Sequence, residues 1–174
     1  AYPRLMAFSK NSSPTAQVAC GKRHSALLTK DGEVWCWGHG CSGELGQGSR
    51  HDQWTPVAVL RQLQGLTVAY VACGLDFTLA CTCAGSVYAW GDGGNGRLGT
   101  GDTKERLAPA RLQALRGVVV VRVACGDAHA LAVSEEGGLF GWGAASAHGQ
   151  GHGSDALEPA RIGGLPSREI VVSA

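Results

Sequence analysis

Three copies of Val-Ala-Cys-Gly, at Val18–Gly21, Val71–Gly74 and Val123–Gly126, stand 53 and 52 residues apart. A Trp-Gly pair follows each copy, at Trp37-Gly38, Trp90-Gly91 and Trp142-Gly143, always 19 residues from Val to Trp. The loop GELGQG (Gly43–Gly48) returns as GRLGTG (Gly96–Gly101) and, eroded and two residues early, as AHGQG (Ala147–Gly151). Pro56, Pro109 and Pro159 follow in turn, and Pro3 precedes Val18 by the 15 residues that separate Pro56 from Val71. So many landmarks at one period make a tandem array with a unit of about 52 residues, the length range of propeller blades.

Within a unit the hydrophobic pattern sets four strands. LTVAYVACG and VVVVRVACG are apolar and β-branched, and HSALLT, FTLACT and HALAVS form the next strand. The Asp31-Gly32 pair between the second and third strands predicts a type I′ hairpin turn, with Ala84-Gly85 and Glu136-Gly137 in the same place. In the third strand, alternation puts Trp35, Tyr88 and Phe140 on one face with the Trp of each Trp-Gly pair. Val34/Cys36, Val87/Ala89 and Leu139/Gly141 take the other face, so a large-residue side can interdigitate with a smaller one on the next sheet. A Gly-rich loop and a Pro-led segment (TPVAVL, APARLQAL, EPARIGGL) complete the unit. The 27 glycines suit many short strands and turns. The expectation is an all-β chain, a partial β-propeller of about three four-stranded antiparallel blades.

Charge excludes several partners. Lys+Arg 15 against Asp+Glu 14 gives a net +1, with no global basic field for nucleic acid and no polybasic membrane patch. No apolar run reaches the roughly 18–20 residues that span a bilayer, and AYPRLMAFSK lacks the pattern of a signal peptide. Seven cysteines cannot all pair within the chain, which points to a reducing, intracellular compartment, cytoplasmic or nuclear.

The repeat absorbs most of the candidate chemistry. Cys20, Cys73 and Cys125 share one strand position and read as small buried residues on separate sheets. Cys36-x-x-His39-x-Cys41 has ligand content, but Ala89 and Gly141 replace Cys36 in the other copies and no second tight pair accompanies it. Cys81-x-Cys83 has no counterpart either. His24, Phe77 and His129 share a position, and Phe in the middle copy argues against proton transfer in every blade. His148 and His152 in the degenerate third loop are expected to be exposed. The Gly loops lack the Lys-Ser/Thr of a phosphate-binding loop. No catalytic, metal or cofactor site is assigned, and the chain is read as non-enzymatic. What varies inside the fixed frame is the turn after each Val-Ala-Cys-Gly: Lys22-Arg23, Leu75-Asp76 and Asp127-Ala128. Lys22, Arg23, His24, Asp76, Asp127 and His129 are therefore the candidate partner-binding residues. A second variable set is Ser49–Trp54, Asp102–Leu107 and Gly153–Leu157.

The pattern VACG-x-x-H-[ST]-x-A-L-x-x-D-G-x-V-[WY]-x-W-G-x-x-x-x-G-x-LG-x-G resembles the regulator of chromosome condensation family. The resemblance implies a seven-bladed ring. On that frame residues 1–17 are the end strand of a preceding blade, 18–70, 71–122 and 123–171 are three repeats, and 172–174 begin a fourth. It also implies that another segment or chain covers the two end blades. The function implied is a protein-protein interaction or scaffold module. The alternative is part of a guanine-nucleotide exchange factor for a Ran-type small GTPase, the activity of the founding member. That activity uses a projecting wedge, and spacing held at 52–53 leaves no room for one here. The family's basic chromatin-binding tail is also not in this segment. The photoreceptor branch places Trp after the turn glycine, where this chain has Lys22 in GKRHS, then GLDFT and GDAHA.

Overall fold

Each period of the sequence folds into one antiparallel sheet whose four strands lie side by side in chain order. The computed structural model describes residues 13–59, 63–151 and 153–164. The first sheet holds β1 (Thr15–Cys20), β2 (His24–Thr29), β3 (Val34–Gly38) and β4 (Gln53–Ala58). The second holds β5 (Val68–Cys73), β6 (Phe77–Thr82), β7 (Val87–Gly91) and β8 (Arg106–Arg111). The third holds β9 (Val120–Cys125), β10 (His129–Ser134), β11 (Leu139–Gly143) and β12 (Ala156–Arg161). Thr15 and Gln17 pair with β2, so they belong to the first sheet. The segments read from sequence as a preceding strand around Pro3 and as a fourth repeat at 172–174 lie outside the described residues. No helix among the described residues is long and apolar enough to cross a membrane.

The second hairpin of each blade is not the expected two-residue turn. Gly32, Gly85 and Gly137 have φ of +85°, +78° and +79°, but the sole described non-glycine residue with positive φ is Asn95. A type I′ turn needs two such residues, and Asp31, Ala84 and Glu136 do not supply the second. Instead Gly32 N–H donates to Thr29 O (3.0 Å) and Thr29 N–H to Glu33 O (2.9 Å). This is a tight turn closed by one left-handed glycine, the three-residue hairpin form. The Thr29 hydroxyl accepts from Glu33 N–H at 3.0 Å, and Thr82 and Ser134 do the same for Ser86 and Gly138. A hydroxyl residue at the end of the second strand thus holds the turn in all three blades.

The blades stack face to face, and the large-against-small packing read from the third strands is present. Val34 and Cys36 of the first blade pack in one buried cluster with Trp90 and Val71 of the second, and Tyr88 lies against it. Val87 and Ala89 of the second blade pack with Trp142 and Val123 of the third, with Phe140 alongside. Each interior Trp-Gly indole is fully buried and bonds across the junction. Trp90 Nε1–H donates to Glu44 O (2.9 Å) and Trp142 Nε1–H to Arg97 O (3.0 Å), both carbonyls in the preceding blade's Gly loop. The loop in turn lies on the fourth strand of the next blade: Gly48 N–H donates to Leu107 O and Gly101 N–H to Leu157 O.

The glycine of each Val-Ala-Cys-Gly makes room for a ring. A Cβ at Gly74 would lie 1.9 Å from the Phe77 ring, and at Gly21 and Gly126 it would lie 2.3 and 2.1 Å from the imidazoles of His24 and His129. The residue three places on fills the space that the glycine leaves empty. Gly74→Ala should therefore lower stability by about 1–3 kcal/mol through overpacking. Trp142→Phe should cost about 1–3 kcal/mol, because the buried Arg97 carbonyl loses its indole donor. Urea unfolding midpoints check both; an unchanged midpoint in Gly74→Ala would mean that the ring niche is not tight in solution.

Candidate functional site

The variable turns after the first strands are fixed in backbone and variable in side chain. The residue after each Trp-Gly pair donates its N–H back to the turn: His39 to Arg23 O (2.9 Å), Asp92 to Asp76 O (2.9 Å) and Ala144 to Ala128 O (2.8 Å). The paired glycines Gly38, Gly91 and Gly143 take φ above +100° to allow it. A Cβ at any of them would meet the turn carbonyl at 2.5 Å. The first two turns touch one another, with Lys22 N–H on Leu75 O (3.3 Å) and Arg23 Nη2 3.8 Å from Asp76 Oδ1. Lys22, Arg23 and Asp127 are exposed, and Asp76 and His129 are partly buried. These residues form a mixed-charge rim at one end of the blades. The Arg23–Asp76 pair at this distance contributes little to stability and leaves the guanidinium available.

His24 does not join that rim. It is 3% exposed, so a partner cannot reach its imidazole. Its Nε2 lies 2.9 Å from Thr78 Oγ1 in the second blade. Thr78 gives its own proton to Glu44 O (2.9 Å), so the bond from His24 is donated by Nε2–H. His24 is thus a structural link between blades. Burial lowers its pKa from the usual 6.5 to about 4; nearby Asp76 opposes the shift and His39 adds to it.

The loop between the third and fourth strands carries buried ionisable side chains that its glycines do not announce. Glu44 is 0% exposed. Its Oε1 lies 3.1 Å from His39 Nδ1, and its Oε2 accepts from Ser42 N–H at 2.8 Å. At the equivalent places in the second blade, Asp92 and Arg97 pair at 3.0 Å with the charges reversed. His39, Cys41 and Glu44 bring one ligand atom each within 4.8 Å of the others. Cys36, weighed with His39 and Cys41 on spacing, packs in the core between blades instead. The sequence signal of this pairing is a fixed five-residue distance between His39 and Glu44 that recurs as Asp92 and Arg97.

Cys20, read from sequence as buried, is exposed, because it lies on the first strand of the first described blade, and Cys83 is exposed too. The thiols at Cys36, Cys73, Cys81 and Cys125 are poor nucleophiles. Burial raises the thiols of Cys36 and Cys125 well above their usual range and pushes Cys73 and Cys81 up to about 12. Cys81 also donates to Val120 O at 3.0 Å. His148, expected at the surface, is fully buried. In the shortened third loop it takes the core place of Leu45 and Leu98, with Nε2 3.0 Å from Ser154 O and Nδ1 accepting from Gln150 N–H. His152 lies outside the described residues. In the second variable set, Arg50 pairs with Glu105 and Asn95 bonds Asp155, each across a blade junction. Trp54 is 85% exposed; its counterparts Leu107 and Leu157 receive the preceding blade's Gly loop.

Comparison with known proteins agrees with this architecture. A family model described as the regulator of chromosome condensation (RCC1) repeat matches residues 31–81 and 84–133. A second model of the same repeat matches 16–44, 68–97 and 120–150. The chain is 40% identical over 148 residues to the ultraviolet-B receptor UVR8 of Arabidopsis thaliana, covering 83% of this chain and 33% of the receptor. It is 37% identical over 158 residues to the human E3 ubiquitin-protein ligase HERC2, covering 88% of this chain and 3% of the ligase. Thus the chain spans a third or less of these two relatives. Among solved structures, human WBSCR16 superposes with a TM-score of 0.84 at 29% identity, over 92% of this chain and 40% of that one. Prp20p of Saccharomyces cerevisiae, whose structure was described with its binding properties to Gsp1p and histones, gives 0.75 at 22% identity over 86% and 38%; at that identity it shares the fold alone.

The buried imidazole makes stability depend on pH. Folded His24 (about 4) takes a proton less readily than an unfolded imidazole (6.5), so between these values the unfolded state holds more protons. Stability should fall as pH drops from about 6.5 to about 4, by about 3 kcal/mol from this residue, and the loss should level off below that. His24→Phe places in the first blade the residue that the second already uses, and should flatten this part of the profile. Unfolding free energies measured from pH 7 to pH 4 check it; parallel profiles for the two proteins would remove His24 as the source.

Proposed function

We propose that this chain, which belongs to the regulator of chromosome condensation (RCC1) repeat family, acts as a non-enzymatic interaction module. Its rim of variable turns is the surface offered to a protein partner. The supporting observation is the division of labour in those turns. Their carbonyls and the flanking glycines are fixed by the blade, whereas Lys22-Arg23, Leu75-Asp76 and Asp127-Ala128 differ at every copy. A rigid frame with variable, mixed-charge side chains, of which Lys22, Arg23 and Asp127 are exposed, is the arrangement that a binding surface needs. Lys22, Arg23, Asp76 and Asp127 are the contact residues in this reading, with His129 at its edge. Charge on such a rim sets partner choice and association rate more than affinity.

A second reading, part of an exchange factor for a Ran-type small GTPase, rests on the family's founding activity and on the likeness in fold to Prp20p. Among the described residues no projecting insertion stands between the strands of a blade, which favours the interaction reading for this segment. The place that a photoreceptor's Trp would take holds Lys22, Leu75 and Asp127. The identity to an ultraviolet-B receptor is therefore not accompanied here by that feature.

Affinity capture with quantitative mass spectrometry should find partners lost from a Lys22→Glu/Arg23→Glu variant that folds normally. An identical partner set for the two proteins would overturn the rim assignment. In a nucleotide-release assay the chain should leave the GDP off-rate of a Ran-type GTPase unchanged; acceleration would move the assignment to exchange activity.

A further inference from the structure

The first and second blades solve one electrostatic problem in two ways, and the difference points to a ligand. In the second blade the buried side chain of the Gly loop is Arg97. It carries its own positive charge, Asp92 neutralises it at 3.0 Å, and Arg97 Nε–H is spent on Gly94 O at 2.8 Å. In the first blade the same place holds Glu44, a carboxylate with no exposed surface. Among the described residues, the one basic side chain within ion-pair distance of it is His39, which is charged only when protonated. A buried carboxylate is costly unless a cation compensates it. Where the second blade has Gly94, the first has Cys41, an exposed thiol whose sulfur lies within reach of both His39 and Glu44.

We propose that His39 Nδ1, Cys41 Sγ and Glu44 Oε1 form a binding site for a thiophilic divalent transition-metal ion, of which Zn²⁺ is the type. The donor set is one imidazole nitrogen, one thiolate and one carboxylate oxygen, all ordinary zinc ligands. Two anionic ligands balance the charge of the dication, and the thiolate and imidazole select against Ca²⁺ and Mg²⁺. The 3.1 Å between Nδ1 and Oε1 is close to the edge of a zinc tetrahedron, about 3.3 Å for bonds of about 2.0–2.1 Å. On binding, the metal takes the place of the proton between these two atoms: an imidazolium loses that proton to solvent and keeps the one on Nε2, a neutral Nδ1–H ring carries its proton on Nε2 instead, and the thiol proton leaves to solvent.

The surroundings hold the ligands in place. Ser42 N–H fixes Glu44 Oε2 and so aims Oε1 at His39, the kind of outer contact that orients metal ligands. Gly40 N–H is tied to Asp52 Oδ1 at 2.9 Å, and the Glu44 carbonyl is clamped by Thr78 and Trp90 of the next blade. The site opens outward, because Cys41 is exposed and the His39 side chain is 25% exposed. The fourth ligand is then a water, or a group from a partner.

Cobalt substitution of the full chain tests the site. One Co²⁺ per chain should bind with the thiolate-to-cobalt charge-transfer band and the intense visible bands of a tetrahedral ion, and Zn²⁺ should displace it. Cys41→Ser, at an exposed position, should fold as the native chain does and abolish the charge-transfer band. His39→Ala should weaken zinc at least about tenfold, and zinc should raise the melting temperature of the native chain but not of Cys41→Ser. Cys20→Ser and Cys83→Ser, at other exposed thiols, should change nothing. A charge-transfer band that survives Cys41→Ser, or zinc affinity equal in native and His39→Ala chains, would overturn the proposal.

Discussion

The hydrogen bond from an interior Trp-Gly indole to the Gly loop of the blade before it is the contact on which this architecture rests. A Trp buried without a partner for its N–H leaves a polar group stranded in an apolar junction. Trp90 and Trp142 are fully buried and find their acceptors outside their own sheets, in Glu44 O and Arg97 O. A blade therefore does not complete its own core; the preceding blade completes it. The return contact, from the Gly loop to Leu107 or Leu157, ties the same two blades a second time. Trp37 and Trp54 stand at the equivalent places of the first blade, where no described residue plays the part of that loop.

Much of this was legible in the sequence because it repeats. Val-Ala-Cys-Gly and Trp-Gly at one spacing set strand order, blade count and the large and small faces of each sheet. The glycine before His24, Phe77 and His129 could be seen to recur, but its reason is spatial: a ring lies where its Cβ would be. The hairpin form is not legible locally, because Asp-Gly permits a type I′ turn and the pair itself carries no sign of the closing hydroxyl at Thr29, Thr82 and Ser134. The burial of His148 is hidden for a related reason. Deletion of two residues moved it onto the core position of Leu45 and Leu98, and a polar residue in a degenerate loop reads as surface.

The rim was legible only in outline. Variation among copies identified the turns, yet it could not separate His24, which bonds Thr78 inside the junction, from Lys22 and Arg23, which face solvent. Burial decides between these roles, and it depends on how the next blade sits. The same limit hid Glu44. Within GELGQG it reads as a turn residue, yet it is completely buried, and its carbonyl accepts from Thr78 and Trp90 of the second blade.

That closure also explains why the loop can carry opposite charges in successive blades. The structural work at this place is done by the backbone: Glu44 O and Arg97 O each accept the indole of the next blade, whatever the side chain. The side chain is left with one requirement, a compensating partner five residues earlier. Asp92 meets it for Arg97, and His39 is what the first blade offers Glu44. A carbonyl that anchors and a side chain that is free to change sign are separable constraints on one residue. Because they are separable, different chemistry can sit at the Gly loop of a propeller blade without disturbing the stack, as the His39–Glu44 and Asp92–Arg97 pairs do.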